Sequence, residues 1–433
     1  MDFMSKKNIA NFKNDFTKIK GVVLELNSAC DGILLNVETN KVERVRIPFC
    51  KPKDEVEIIE INNDKNNPVA IKYNINKSNH NIPLCEYFYS CGGCKLQHLF
   101  EDEYKNFKKD IFVKAMEKNL IDFDKNKIEY TFLNVLDIDN KRRRLSLFFK
   151  DNKLGFKKYS TNEIVDIKKC VVANTAINSV IEDLKKALES LNLSSEIKIS
   201  ITSIDDFLDI VIDNLNKINL KEIKILQKLM ELDTVNSIFI MKNNSIEPFA
   251  IKKKLSIKNN GNVIKISPQT FLQPSFGGEK TLQNIVYNHL EKSEMIADFF
   301  CGNGTFSFMF PNTKIYGFEI NKESVDAINN IDKNVTAFEK NLFEKNLTLS
   351  PLNGKKFNVI INPPRLGALN LCKKLVKLDI EKIVYVSCNF VSMFNDIKIF
   401  LESSNYKITK INVVDQFIFS QHIETIVLIE KIT

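Results

Sequence analysis

Three short segments in the last quarter of the chain hold the residue types that covalent and acid–base chemistry needs: Asn362-Pro363-Pro364-Arg365, Ser387-Cys388-Asn389 and His422-Ile423-Glu424-Thr425. Each sits at the end of a stretch that reads as a strand, and in open parallel sheets ligands gather at such ends. A single cysteine after a strand is usually a small core residue. A thiol, a carboxylate and a guanidinium sharing one sheet edge point instead to nucleophilic chemistry with a nearby proton acceptor.

A fourth segment, Ala297-Asp298-Phe299-Phe300-Cys301-Gly302-Asn303-Gly304-Thr305-Phe306, follows a predicted strand and opens a predicted helix. Its glycines permit close backbone approach to a bound nucleotide. Further on, Gly317-Phe318-Glu319 ends the next strand with a carboxylate placed to accept hydrogen bonds from the two hydroxyls of a ribose. A lone GxG also fits NAD enzymes, but D-x-x-C-G-x-G followed by G-x-E is the arrangement of S-adenosylmethionine methyltransferases more than of dehydrogenases, which usually show GxGxxG.

Cys85, Cys91 and Cys94 form a C-x5-C-G-G-C knot, and Cys170, in Ile164-Val165-Asp166-Ile167-Lys168-Lys169-Cys170, is the candidate fourth ligand. This spacing suits an iron–sulfur cluster better than zinc, whose sites favour pairs with two to four intervening residues. Zinc stays open as the alternative.

These groups need elements to position them. Residues 12–75 read as short strands, at 19–26, 32–37, 45–48 and 55–61, parted by polar and glycine turns, which predicts an OB-like five-stranded β-barrel of a kind that often binds RNA. Residues 76–265 are expected to form a cluster-binding and central α+β RNA-binding domain, with strands at 143–149, 198–202, 208–213 and 237–241 and an amphipathic helix at 175–191. Within this domain the lysine-rich segment 101–125 is expected to be a helix crossing to the catalytic domain. Residues 266–433 alternate strand, turn and helix, with strands at 295–299, 314–319, 358–361, 382–387 and 424–429, which predicts a doubly wound, Rossmann-like α/β domain.

With 433 residues, 44% hydrophobic, the chain can build two or three cores. Its 62 basic against 54 acidic residues leave +8, a mild excess that suits a polyanionic partner. Nine cysteines, an odd number unevenly placed, do not suit a secreted disulfide framework. No apolar stretch approaches the roughly 18 residues of a membrane span, so a cytoplasmic protein with no membrane partner is expected; no obligate protein partner can be read.

Together with Ser267-Pro268-Gln269-Thr270-Phe271-Leu272-Gln273, the four segments closely resemble the RNA uracil-5-methyltransferase family, whose members carry SPxxFFQ, DxFCGxG, DPPRxG, SCN and HxET in this order. The resemblance extends to the cysteine knot, the basic run at 141–144 and the barrel, which looks like a TRAM domain, so it covers nearly the whole chain. It implies methylation of uridine C5 to 5-methyluridine. C5 of uracil is a poor nucleophile, so Cys388 would first add to C6, and Glu424 would remove the C5 proton. It places Gln273, Phe300, Thr305, Glu319, Asn341 and Asn362 around S-adenosyl-L-methionine and gives Cys85, Cys91, Cys94 and Cys170 a [4Fe-4S] cluster. Arg365 and the 141–144 run are the candidates for RNA contact, and barrel and cluster together favour 23S rRNA over tRNA. Asn362 departs from the aspartate of the family pattern, keeping a carbonyl acceptor and losing the charge. That departure keeps open a cluster-bearing RNA-binding protein with lost or altered activity.

Overall fold

The computed structural model describes residues 19–62, 68–191, 195–213, 215, 219–242, 245–266, 270–331 and 333–432. The chain divides into two compact units, residues 1–82 and 83–433. In the first, β1 (Ile19–Leu26), β2 (Gly32–Asn36), β3 (Val42–Ile47), β4 (Glu55–Asn62) and β5 (Val69–Asn76) close into a barrel in the order β1-β2-β3-β5-β4. Alternation aims Val23, Leu34, Ile47, Val56 and Ile58 inward. The expected barrel is therefore present, apart from positions 12–18, which lie outside the described residues.

In the second unit, α1 (Glu101–Lys118) and β6 (Glu129–Phe132) precede a mixed region of β7 (Arg144–Lys150), β8 (Lys153–Lys157), β9 (Ile164–Asp166), α2 (Thr175–Glu189), β10 (Ile197–Ile204), β11 (Phe207–Asp213), α3 (Leu220–Met230), β12 (Val235–Lys242) and β13 (Ser245–Ile251). Its seven strands form one sheet in the order β13-β12-β11-β10-β7-β8-β9. Helix α2 buries Ile177, Val180, Ile181, Leu184 and Leu188, a stripe at helical spacing, and Asn174 caps its first turn by accepting from Ile177 N–H. A hairpin, β14 (Ser256–Asn259) and β15 (Asn262–Lys265), follows.

The remaining elements are α4 (Phe276–Leu290), β16 (Met295–Phe299), β17 (Lys314–Glu319), α5 (Lys322–Asn329), β18 (Val335–Glu339), β19 (Phe357–Ile361), α6 (Leu369–Leu375), β20 (Ile380–Ser387), α7 (Phe390–Glu402), β21 (Tyr406–Asp415) and β22 (Glu424–Lys431). They build an eight-stranded sheet in the order β18-β17-β16-β19-β20-β22-β21-β6, parallel from β18 to β20, with β22 reversed. Central strands such as β19 are buried at every position, as a sheet covered on both faces requires. The order reverses at β16, and a crevice at the carboxyl ends of β16 and β19 follows from that topology.

The edge strand β6 pairs parallel to β21, Asn412 opposite Glu129. Sequence periodicity assigns residue 130 onward to the central domain; the four residues of β6 belong instead to the catalytic sheet. Helix α1 buries Tyr104, Lys108, Ile111, Phe112 and Met116 along one stripe. Phe112 meets Phe390 edge-on at 6.0 Å and Phe394 at 5.8 Å, which seats α1 against α7. Lys108 is fully buried; its Nζ donates to Asp415 Oδ1 at 2.8 Å and to the His422 carbonyl at 2.7 Å. Tyr104 O–H donates to the other oxygen of Asp415. Among the described residues no helix is long and apolar enough to cross a membrane.

Lys108→Met strands the Asp415 carboxylate in the interior, and breaking a buried pair in this way costs about 3–5 kcal/mol. Urea denaturation should show that loss; a variant as stable as the parent would mean that the pair does not hold α1 to the sheet.

Candidate active site

The turn after β16 is shaped by backbone conformation. Phe300, Gly302 and Gly304 all have left-handed φ, of 61°, 56° and 76°. Phe300 is a bulky residue in this region and is held there by its N–H bond to the Phe318 carbonyl at 2.9 Å. At Gly304 a Cβ would press into the Phe308 ring, so only glycine fits. At Gly302 a Cβ would meet open space, so the loop leaves an unfilled cradle.

Glu319, at the end of β17, closes that cradle. Its Oε2 accepts from Gly302 N–H at 3.0 Å, and its Oε1 accepts from Ile320 N–H at 2.8 Å and Asn321 N–H at 2.9 Å. Asn341 lies beside it, since Lys340 N–H bonds the Glu319 carbonyl at 2.7 Å, and its Oδ1 accepts from Phe343 N–H at 3.1 Å. The rings of Phe300 and Phe343 stand 5.6 Å apart, both partly solvent-facing. The Thr305 carbonyl accepts from Asn259 and Gln283, which pins the loop to the β14–β15 hairpin and α4. Below the loop, burial pushes the Asp298 carboxyl up to about 7 despite the hydrogen bond it accepts from the Ser307 hydroxyl at 2.6 Å.

A second corner lies across the sheet. Strand β20 pairs antiparallel with β22, Ser387 opposite Thr425. Cys388 and Glu424 are the chain neighbours of that pair, and the Cys388 thiol feels the Glu424 charge. Burial raises the Cys388 pKa and Glu424 raises it further, while the Arg365 guanidinium, within hydrogen-bond reach of the sulfur, lowers it. Glu424 is 4% exposed, and that burial pushes its carboxyl up to about 7, against the pull of a Gln416 hydrogen bond and of Arg365. The Arg365 carbonyl accepts from Asn389 Nδ2 at 2.9 Å and Ser392 Oγ at 3.0 Å, which ties the Asn-Pro-Pro-Arg turn to the residues after the cysteine. Asn362 N–H bonds the Phe299 carbonyl at 3.2 Å, bringing that turn beside Phe300. Burial, together with the cations Arg365, Lys108, Arg142 and Lys95, holds His422 down at about 4, so it is neutral at physiological pH. A half-buried thiol facing a carboxylate poised near neutrality can add to an electrophilic carbon and move a proton.

Gln273 meets the second corner: its Oε1 accepts from Gln416 Nε2 at 3.0 Å, and Gln416 also bonds Glu424. The other residues of its segment that were singled out, Ser267, Pro268 and Gln269, lie outside the described residues. The basic run at 141–144 is largely occupied. Lys141 donates to the Val171 carbonyl at 2.6 Å, and Arg143 pairs with Glu279 at 2.5 Å and donates from Nε to the Gln273 carbonyl at 2.8 Å. The Arg143 guanidinium is largely enclosed and fixes the Gln273 segment.

The cysteine knot departs from expectation in a different way. Among the described residues, no three Cys, His, Asp or Glu groups stand as a ready metal centre. The four thiols still share one neighbourhood: Cys91 and Cys94 each feel Cys170, and Cys91 and Cys170 each feel Cys85. All four are free of disulfides. Burial pushes Cys91 up to about 11 and Cys94 to about 12, so both are protonated thiols at neutral pH when no ion is bound. The donor set fits an iron–sulfur cluster in kind and in neighbourhood, but not as a closed cage. The knot lies close to the loop that leads into Glu424, because Lys95 N–H bonds the Phe419 carbonyl at 2.8 Å.

Two contributors are illegible in the sequence: Gln416, which belongs to no chemical motif, and Lys108, which looks like one more surface lysine of a lysine-rich helix. The one available signal for Lys108 is its position on the same helical stripe as Tyr104, Ile111 and Phe112.

A family model for tRNA (uracil-5-)-methyltransferases matches residues 108–432. An uncharacterised RNA methyltransferase of Brucella suis is 28% identical over 398 residues, covering 90% of this chain and 93% of that protein. A 23S rRNA (uracil(1939)-C(5))-methyltransferase of Francisella tularensis is 26% identical over 395 residues, covering 84% of this chain and 86% of its own. Among solved structures, the tRNA (uracil-54, C5)-methyltransferase of Pyrococcus abyssi, in complex with S-adenosyl-L-homocysteine, shares the fold with a TM-score of 0.74 at 23% identity, covering 95% of this chain and 99% of that one.

Gly304→Ala should lower stability by about 1–3 kcal/mol, the cost of a strained left-handed residue, since the added methyl also meets Phe308. Thermal denaturation reads this, and an unchanged melting temperature would mean that the loop can take another path.

Proposed function

Since the chain belongs to the tRNA (uracil-5-)-methyltransferase family and is an S-adenosylmethionine-dependent RNA (uracil-C5)-methyltransferase, we propose that it works through a covalent adduct of Cys388 and that its RNA is 23S rRNA. The placement of Cys388 just past the end of β20, where it feels the charge of a buried Glu424 at the start of the neighbouring β22, supports the mechanism most strongly. The Cys388 thiolate adds to C6 of the uracil, and the electron pair pushed onto the ring makes C5 nucleophilic. The bound donor would supply a methyl group on a sulfonium, and as C5 takes it the methyl–sulfur bond breaks and its electron pair stays on the donor's sulfur, which leaves as a neutral thioether. Glu424 then takes the C5 proton, the C5–C6 double bond re-forms, and the sulfur leaves with its electron pair. Arg365 helps to keep both groups deprotonated.

Phe300, Glu319 and Asn341 would hold the adenosine portion over the open cradle at Gly302, with Thr305 beneath the loop. Gln273, beside Gln416, and Asn362, beside Phe299 in the turn that carries Arg365, would face the reacting end. Asn362 retains an acceptor for this task. The 23S rRNA reading rests on the name of the Francisella relative, with which this chain aligns over most of both lengths. A uracil must be turned out of its helix or loop to reach such a corner. Cys85, Cys91, Cys94 and Cys170 would hold a [4Fe-4S] cluster, whose place in the sequence and in the fold suits a structural role in the knot.

Incubation with labelled donor and either a 23S rRNA transcript or tRNA, followed by nucleoside mass spectrometry, should yield 5-methyluridine in the ribosomal RNA and none with Cys388→Ala. Glu424→Gln should lose about 10²–10⁴-fold in turnover and accumulate the RNA adduct. Activity should fall as pH drops below about 7, where Glu424 takes up its proton. Product in tRNA alone would reassign the substrate, and full activity of Cys388→Ala would end the covalent reading. For the knot, protein purified without oxygen should carry about four irons per chain with a broad visible absorbance, both lost in Cys94→Ser; zinc in their place would overturn the cluster.

A further inference from the structure

Gln416 follows the last residue of β21 and is 1% exposed. Its Nε2 donates to Glu424 Oε2 at 2.9 Å and to Gln273 Oε1 at 3.0 Å. The amide has two N–H groups, so both are in use. Turning it over would aim its oxygen at two other acceptors. Its Oε1 has no hydrogen-bond partner among the described residues and packs against Gly278 in the first turn of α4, where a Cβ would overlap it. The side chain is thus held at both ends, by two acceptors on one side and by a residue without a side chain on the other.

We propose that Gln416 is a positioning residue for C5 deprotonation, holding the Glu424 carboxylate ionised, aimed at the substrate and in fixed relation to Gln273. This deepens the reading of Glu424 as the base and rests on it. An amide N–H can only donate to a carboxylate, so it favours the ionised form, which is the form that can accept a proton. The other groups facing Glu424 are Arg365, after β19, and Cys388, after β20. Arg365 also favours the ionised form of Glu424, and Cys388, once it is a thiolate, opposes it. Gln416 therefore supports the base at the stage when the thiolate regenerates beside it. In that step the C5 proton passes to Glu424, the C–H electron pair rebuilds the C5–C6 double bond, and the C6–S pair returns to Cys388. No oxidant or further reactant is needed.

The test follows decay of the covalent RNA adduct in single turnovers across pH 5.5–9.5 (about the range over which base and thiol titrate). Gln416→Met keeps the length and removes the amide. Its acid limb should move up by about one pH unit, slowing decay about tenfold at pH 6.5 and about twofold or less at pH 9. Gln416→Glu, which puts a second carboxylate beside the base, should shift further in the same direction. Gly278→Ala reaches the same contact from the other side; it should reproduce the upward shift and serves if Gln416→Met does not fold, as judged by its melting curve. Were the folded variants to titrate like the parent while Glu424→Gln traps the adduct, Gln416 would be ordinary packing and the proposal would be wrong. Normal turnover by Glu424→Gln would remove the base reading and this proposal with it.

Discussion

A single buried cation holds the catalytic end of the sheet to the rest of the second unit. Lys108 belongs to a helix that precedes the central domain in sequence, yet its ammonium ends between the Asp415 carboxylate and the His422 carbonyl, at the two ends of the loop that joins β21 to β22. A lysine taken out of water this far is costly unless every donor finds an acceptor. The cost is offset here by a full carboxylate, a carbonyl, and Tyr104, which donates to the same Asp415 and accepts from Phe419 N–H at 3.1 Å. The residues between these two anchors include Gln416, and the next residue after them leads into Glu424. The position of Glu424 is therefore set partly by a helix about 300 residues earlier in the chain, consistent with the sequence separation of 307 in the ion pair.

The same region gathers several ionisable groups whose preferences conflict. Burial disfavours the ionised form of both Cys388 and Glu424, and the Glu424 charge raises the Cys388 thiol further. Arg365 is the shared counter-charge, exposed enough to keep its own hydration and placed to favour both anions. Near-neutral titration of Glu424 follows from this opposition: burial alone would hold it protonated, while the amide and the guanidinium bring it back. A carboxyl so balanced can accept a proton at physiological pH and release it again.

Much of the architecture was legible because covered parallel strands read as unbroken apolar runs. The spans of β16 and β17 follow directly from that composition, and the glycine turn after β16 from its residue types. Helix α1 was legible as a helix but not by its partners, because its buried stripe contains a lysine and its neighbours are supplied by α7 and β21. The four residues of β6 are too short to reveal the sheet they join, and their pairing with β21 spans most of the second unit. At the site, Cys388, Glu424 and Glu319 could be singled out because a thiol, carboxylates, a guanidinium and a glycine turn gather at neighbouring strand ends, not because any one of them is telling alone. Gln416 could not, since a glutamine acquires a role only from the two acceptors it meets. Arg143 shows the converse: a basic run suggests a polyanion, but its central guanidinium is used by Glu279 and the Gln273 carbonyl.

The cysteine knot is far from Cys388 and Glu424 in sequence, yet the residue after it is tied to the loop that precedes Glu424. Cys94 is followed by Lys95, whose N–H is bonded to Phe419 in the loop between Asp415 and Glu424, and the chain continues almost at once into α1, which carries Tyr104 and Lys108 into the same loop. On its other side the knot is joined to the central sheet, with Gly92 N–H on the Lys157 carbonyl at 3.0 Å and Cys91 bridged to Lys158. Loop, helix and central sheet therefore converge on a segment of ten residues from Cys85 to Cys94 that has no helix or strand of its own. A segment without regular hydrogen bonding keeps one conformation only if side chains or a bound group fix it. Four thiols converging from two parts of the chain, with their protons held on by burial, supply the means: whatever displaces those protons also fixes the path of the chain into α1, and through Lys108 the floor beneath Glu424.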